Sequence, residues 1–328
     1  MAVIKPFKSI RPRKGLEDKI AALPYDVYNR SEAKQAVKDN PLSFLNIDRP
    51  ETQYDDDFDM YSDESYQTAA RLLDGMLERN EYIRDDKAYY YIYELTMNGR
   101  AQTGIVAVAS VDDYINETIK KHENTRADKE LDRIRHVDTL SAQTGPIFLA
   151  YKSNEAINSI VDKVKTTEPL YDFVSDDLIS HRVWIISDSD DISCIQDAFS
   201  TINSIYIADG HHRCASAVKV SLKRRQEKPD YTGDEEFNYF LSVLFPDNQL
   251  MIMDYNRVIK DLNGKTEAEI IDELKKVGTL TTLNSEDKHP VKKGDVSVYI
   301  GSTWYTLSFN DELMVDDPVE GLDVSILQ

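Results

Sequence analysis

The stretch Ala88-Tyr89-Tyr90-Tyr91-Ile92-Tyr93-Glu94-Leu95, followed by Asn98-Gly99 and then Thr103-Gly104-Ile105-Val106-Ala107-Val108-Ala109, constrains the fold more than any other. Aromatic and β-branched residues suit a pleated, half-buried surface. Asn-Gly accepts positive φ at both central positions of a tight turn, so the stretch is expected to be a β-hairpin.

Helical and extended patterns alternate around it. A helix capped by Ser31 is expected to run to Val37, before Asn40-Pro41, and another from Glu64 to Arg79, where Ala69, Leu72, Leu73, Met76 and Leu77 recur at helical spacing. Asp112 to about His136 reads as charged and helix-leaning, and Ile147 to Tyr151 as a buried strand. A strand over Arg182–Ile186, a helix from Ile192 and a short strand over Ser204–Ala208 follow. The pattern then gives a helix after Arg213, mixed signals over Phe237–Leu244 and a strand over Leu250–Met253. Last come a helix over Glu267–Val277 and strands over Val296–Ile300 and Trp304–Phe309. The fold class expected is α/β (mixed α+β), with a core over residues 1–228 and a C-terminal α/β segment over 235–328, divided at the loop Pro229–Asp234.

Charge and cysteine usage exclude several classes. With 59 acidic against 39 basic residues the net charge is −20, a field that repels a phosphate backbone, so no nucleic-acid partner is expected. The basic run Lys223-Arg224-Arg225, with Lys219 and Lys228, reads as the exposed end of a helix, where cations suit the dipole. There is no apolar run of 18 residues, and Pro6 and the early charges interrupt any signal-like start, so neither a membrane partner nor secretion is expected. Two cysteines, Cys194 and Cys214, supply no disulfide framework, and a reducing cytoplasm is the expected location. A homo-oligomer is allowed by the sequence but not demanded.

Chemistry concentrates where an apolar strand runs into Asp209-Gly210-His211-His212-Arg213 and then a helix. A helix N-terminus favours an anion through its exposed N–H groups and dipole. Gly210 permits close approach of the backbone, Arg213 offers a fork for phosphate oxygens, and His211 and His212 offer donors or a proton shuttle. Asp209 is the candidate for holding Mg²⁺ or for accepting a hydroxyl proton. A second polar constellation, Lys121-His122-Glu123-Asn124-Thr125 with Arg126, Glu130, Asp132 and Arg133 downstream, gains meaning if it faces that turn: Glu123 as the acid/base, and Lys121, His122, Arg126 and Arg133 as phosphate partners. Adjacent histidines cannot readily share one tetrahedral site, and no His-Glu-x-x-His or cysteine pair is present, which disfavours zinc. A P-loop and a Gly-x-Gly-x-x-Gly pattern are also missing.

The elements Ile207-Ala208-Asp209-Gly210-His211-His212-Arg213, Lys121-His122-Glu123-Asn124-Thr125, Leu23-Pro24-Tyr25-Asp26-Val27 and Tyr255-Asn256-Arg257 together resemble the domain-of-unknown-function 1015 family. That family resembles the ParB/sulfiredoxin-like superfamily, which includes nucleotidases and free-serine kinases. The resemblance implies a ParB/sulfiredoxin-like core with a mixed sheet, and phosphate binding by Asp209, His211, His212 and Arg213. It also implies a C-terminal segment cut short at Gln328. His211 stands where sulfiredoxin has its reactive cysteine, and nothing basic enough follows for a partition-type DNA-binding domain.

The function expected is a nucleotide-dependent phosphotransferase acting on a small hydroxylated metabolite, with ATP or ADP, or CTP, and Mg²⁺ as cofactors. The alternative is a nucleotide-binding switch with little turnover. The residues leave open whether Asp209 or Glu123 activates the hydroxyl, and whether His211 or His212 steadies the phosphoryl group.

Overall fold

Lys5 and Arg11 each precede a proline, which disfavours helical backbone, and the chain opens in two short strands, β1 (Ile4–Lys5) and β2 (Ile10–Pro12). The computed structural model describes all residues except Asn124, Arg126, Tyr255, Pro318, Val319 and Gln328, and only the backbone of Asp128 and Lys129. A helical stretch follows: α1 (Glu17–Ile20), α2 (Arg30–Val37), α3 (Leu45–Asp48) and α4 (Asp63–Glu78). The cap of α2 is Asn29 rather than Ser31. Asn29 Oδ1 accepts from Glu32 N at 3.0 Å while Glu32 Oε2 accepts from Asn29 N at 2.8 Å, a reciprocal box that needs its acid three residues after the cap. Ala69, Leu73 and Met76 of α4 bury the expected stripe against Ile20, Ile47 and Tyr82. Tyr82 opens β3 (Tyr82–Arg84), which pairs antiparallel with β2.

The expected hairpin is present as β4 (Tyr90–Met97) and β5 (Arg100–Ser110), with Asn98 at φ 51° and Gly99 at φ 77°. The charged stretch after it is not one helix. It divides into α5 (Val111–Ile115), β6 (Ile119–Lys120) and α6 (Ala127–Leu140), because Ile119 is wholly buried where it pairs with a later strand, an attraction that helical spacing cannot reveal. Next come β7 (Ile147–Tyr151), α7 (Glu155–Lys165), β8 (Tyr171–Val174), β9 (Ser180–Ile186) and α8 (Ser189–Ser200). The first unit closes with β10 (Ile205–Asp209), α9 (His211–Glu227) and β11 (Tyr239–Pro246).

These strands form one mixed sheet in the order β6-β10-β7-β11-β5-β4-β9-β8, with β1 beside the end of β5. The pairs β6/β10 and β7/β11 are parallel and the rest antiparallel. Alternate residues Ile147, Leu149 and Tyr151 are buried, and the Tyr151 ring meets Phe199 of α8 with centroids 4.9 Å apart. Helix α9 packs on α6, α6 on α4 and α4 on α3.

The chain divides into two units, Met1–Leu250 and Met251–Gln328. The boundary expected at Pro229–Asp234 is therefore displaced: β11 lies between β7 and β5 at the centre of the sheet, with Phe240, Leu244 and Phe245 buried. Leu250–Met253 is no strand, and Met251, Ile252 and Met253 are exposed. The second unit carries α10 (Glu267–Val277) and a small antiparallel sheet of β12 (Gly278–Thr282), β13 (Asp295–Ile300) and β14 (Thr303–Phe309), with β14 central.

A Cβ at Gly99 would meet no atom within 4 Å, so any penalty there is backbone strain alone. Gly99→Ala is expected to lower stability by about 1 kcal/mol in urea unfolding, from the left-handed conformation that a side chain resists. An unchanged midpoint would mean that the turn does not need glycine.

Candidate functional site

The Asp209 turn is built by a sheet irregularity followed by a helix start. The register of β10 against β7 shifts between Ile207 and Asp209, which re-aims the strand end. Gly210 then takes φ 94° as the residue before α9 and supplies no side-chain cap. A Cβ there would come within 3.2 Å of the Arg213 Nε, a side chain that can yield, so it is the backbone conformation that calls for glycine. Arg213 folds back over the turn, donating from Nη1 to the Pro146 carbonyl at 2.8 Å and from Nη2 to Asp209 Oδ2 at 2.5 Å. The Asp209 side chain itself is mostly exposed.

The second constellation does meet this turn. His211 is buried, 4% exposed, and its Nε2 accepts from the His122 backbone N–H at 3.4 Å. That bond leaves the ring proton on Nδ1, which faces Glu123 Oε2 at 3.5 Å. The His122 and His211 rings meet edge to face, 4.4 Å between centroids. Burial and the neighbouring His122 push the His211 imidazole down, against the upward pull of Glu123 and Asp209. The result is a neutral imidazole 3.5 Å from an exposed carboxylate beside a helix N-terminus.

The two adjacent histidines part company. His212 lies on the side of Glu130, and its carbonyl accepts from Ser216 Oγ at 2.7 Å. Lys121 rests its ammonium 4.3 Å above the Tyr114 ring. Arg126 lies outside the described residues.

Arg133 differs from the expectation of an open phosphate cation. It is 6% exposed, stacked 4.0 Å over the Tyr25 ring and paired with Asp132 at 2.8 Å, because α6 turns it toward the interior. The Tyr25 hydroxyl feels both Arg133 and Arg213; burial raises its pKa and the two cations oppose the rise. The Leu23–Val27 element thus comes to the Arg213 side of the turn. Behind it, His136 Nε2 donates to the Ile47 carbonyl at 3.0 Å, and Tyr66 donates to Asp132 at 2.9 Å.

Among the described residues no three His, Cys, Asp or Glu side chains are grouped to hold a metal ion. Burial pushes the Cys214 thiol well up, so it stays protonated. Glu130, which the sequence sets downstream in the second constellation without a role of its own, is buried and takes Thr125 Oγ1 at 2.8 Å and the Lys219 ammonium. The Pro146 carbonyl, which no sequence motif singles out, anchors Arg213.

The family model described as a protein of unknown function (DUF1015) matches residues 4–325, and the chain belongs to that family. No curated protein and no solved structure matches it.

His136 is 1% exposed, and burial, then the charge of Arg133, pushes its imidazole down against the pull of Asp48 and Asp132. The folded chain therefore resists protonation at His136 and His211, whereas unfolded histidine takes a proton near pH ~6.5. Above that pH both states are neutral and nothing is lost. As pH falls below it the unfolded state binds more protons and stability drops, by at most about 1.4 kcal/mol per pH unit for each group. Urea unfolding between pH 7 and 5 is expected to show this slope, and His136→Asn, which cannot titrate, to flatten it relative to wild type.

Proposed function

We propose that the turn Asp209–Arg213 binds the phosphates of a nucleotide, and that the protein transfers a phosphoryl group to a small hydroxylated metabolite. The observation that carries this reading is the meeting of Glu123 and His211 at a glycine-opened helix N-terminus, with Arg213 held at the same turn. Anion-binding backbone, a guanidinium fork and an oriented carboxylate are the parts that phosphoryl transfer asks of a protein. The mixed sheet is compatible with a ParB/sulfiredoxin-like core, and we adopt that core as part of the proposal.

In this reading Arg213 turns from Asp209 to the phosphates, and the α9 N-terminus stabilises charge on the transferred group. Glu123 takes the proton of the acceptor hydroxyl while His211 Nδ1–H holds that carboxylate in place. The acceptor oxygen forms the new bond to phosphorus, and the bond to the nucleotide's leaving oxygen breaks. Asp209 is the residue that would hold Mg²⁺ accompanying the nucleotide, where the ion supplies neutralisation of phosphate charge. The alternative role, a nucleotide-binding switch, draws support from the Arg213 tether to Asp209 and Pro146, which a ligand would have to displace.

Thermal unfolding with ATP, ADP or CTP, with and without Mg²⁺, tests the reading on wild type and Arg213→Ala. A nucleotide at 100 times its dissociation constant is expected to add about 2.7 kcal/mol to wild type and almost nothing to the variant. No shift with any nucleotide, from folded protein, overturns both roles. A shift without phosphoryl transfer to hydroxylated acceptors leaves the switch.

A further inference from the structure

Along α9, the face that starts at His211 continues through Ala215, Val218 and Leu222, at the four- and three-residue spacing that stacks side chains on one side of a helix. Arg213 falls on the opposite side. A cleft of about 360 Å³ opens along this face, bounded by Tyr114 and Ile115 of α5 and by Lys121 and Thr125. Its apolar bed, from Ala215 to Leu222, spans eight residues of helix, about 10 Å.

The polar groups of the cleft are few and charged. Lys121 holds its ammonium against the Tyr114 ring, and the half-exposed Lys219 pairs with the buried carboxylate of Glu130, which also takes the Thr125 hydroxyl. Burial would raise the Glu130 carboxyl, but Lys219 and Thr125 outweigh it and hold it below the ordinary carboxylate range. Among the described residues lining the cleft, two ammonium groups thus face one carboxylate, leaving one net positive charge in a chain of net charge −20. An apolar slot with one surplus cation selects a singly charged, partly apolar ligand. Lysine ammoniums act as point charges and do not impose a fork geometry. A dianionic phosphate is the poorer fit, since Glu130 opposes its second charge.

We propose that this cleft binds a small aliphatic carboxylate, its hydrocarbon part on Ala215, Val218 and Leu222 and its carboxylate between Lys121 and Lys219. Lys121 stands two residues before Glu123, the carboxylate assigned above as base, so we take the ligand of this cleft as a candidate acceptor. Identifying it with the phosphoryl acceptor rests on the phosphotransfer reading; binding itself does not.

Isothermal titration with hexanoate, and with the neutral hexanamide as control, tests the proposal on the full chain. Hexanoate is expected to bind at millimolar concentration and hexanamide about tenfold more weakly, the effect of losing one charged contact. Lys121→Gln, an exposed change, is expected to weaken hexanoate by a similar factor, and Leu222→Trp, which fills the mouth of the cleft, to abolish binding. Arg213→Ala is expected to leave hexanoate binding unchanged. No hexanoate binding, equal affinity for hexanamide, or indifference to Lys121→Gln overturns the proposal, and stronger competition by inorganic phosphate than by other carboxylates does so as well. A nucleotide shift that persists while hexanoate fails to bind sinks the cleft alone. Hexanoate binding without any nucleotide shift sinks the phosphotransfer reading alone.

Discussion

The packing of α9 on α6 is the contact on which the candidate site depends. Ser216 donates to the Glu130 carbonyl at 3.1 Å, Lys219 pairs with the Glu130 side chain, and Lys223 and Arg224 both reach Asp138. Ser216, a small residue, stands where α9 meets α6. Since α9 begins at the end of β10 and α6 follows β6, the parallel pairing of those two strands sets the same register from the other end. Glu123 meets His211 because both links hold the intervening segment.

The interior beneath this pair is polar to an unusual degree. Asp48, Arg49, Glu51, Arg133 and His136 are all under 9% exposed, and Arg49 satisfies itself on Glu51 and on the carbonyls of Tyr25 and Tyr28. Buried charge is costly unless it is paired and hydrogen-bonded. The network therefore fixes the Leu23–Val27 element in one place against Arg133, with Arg213 beyond it, at an expense that an apolar core would not incur. Such a layer gives a firm wall to the turn, and it explains why Arg133 is a poor candidate for direct phosphate contact despite its charge.

Some of this was legible in one dimension. Asn98-Gly99 carried the hairpin because a turn with two positive φ angles leaves few residue choices. Asp209–Arg213 stood out because an apolar strand running into Gly and three cationic or titratable residues is chemically loaded wherever it folds. By contrast Ile119 fell within a stretch read as helix-leaning, and Phe240 within one of mixed signals. Two residues of β6 carry no period of their own, and the nearly continuous apolar run of β11 fits either a helix or a central strand. The boundary was misplaced for the same reason, since a strand's membership in a sheet is decided by partners distant in the chain.

The amino-acid sequence by itself determined the local elements whose backbone or spacing is self-sufficient: the hairpin turn, the α4 stripe and the glycine-opened start of α9. Tertiary structure alone decided which charged residues meet. It brought Glu123 to His211, sent His212 toward Glu130, buried Arg133 under Tyr25 and left Lys121 and Lys219 along one cleft. Local conformation follows from steric and hydrogen-bond preferences within a few residues. The company a side chain keeps depends instead on strand pairing and helix packing between segments about 90 residues apart.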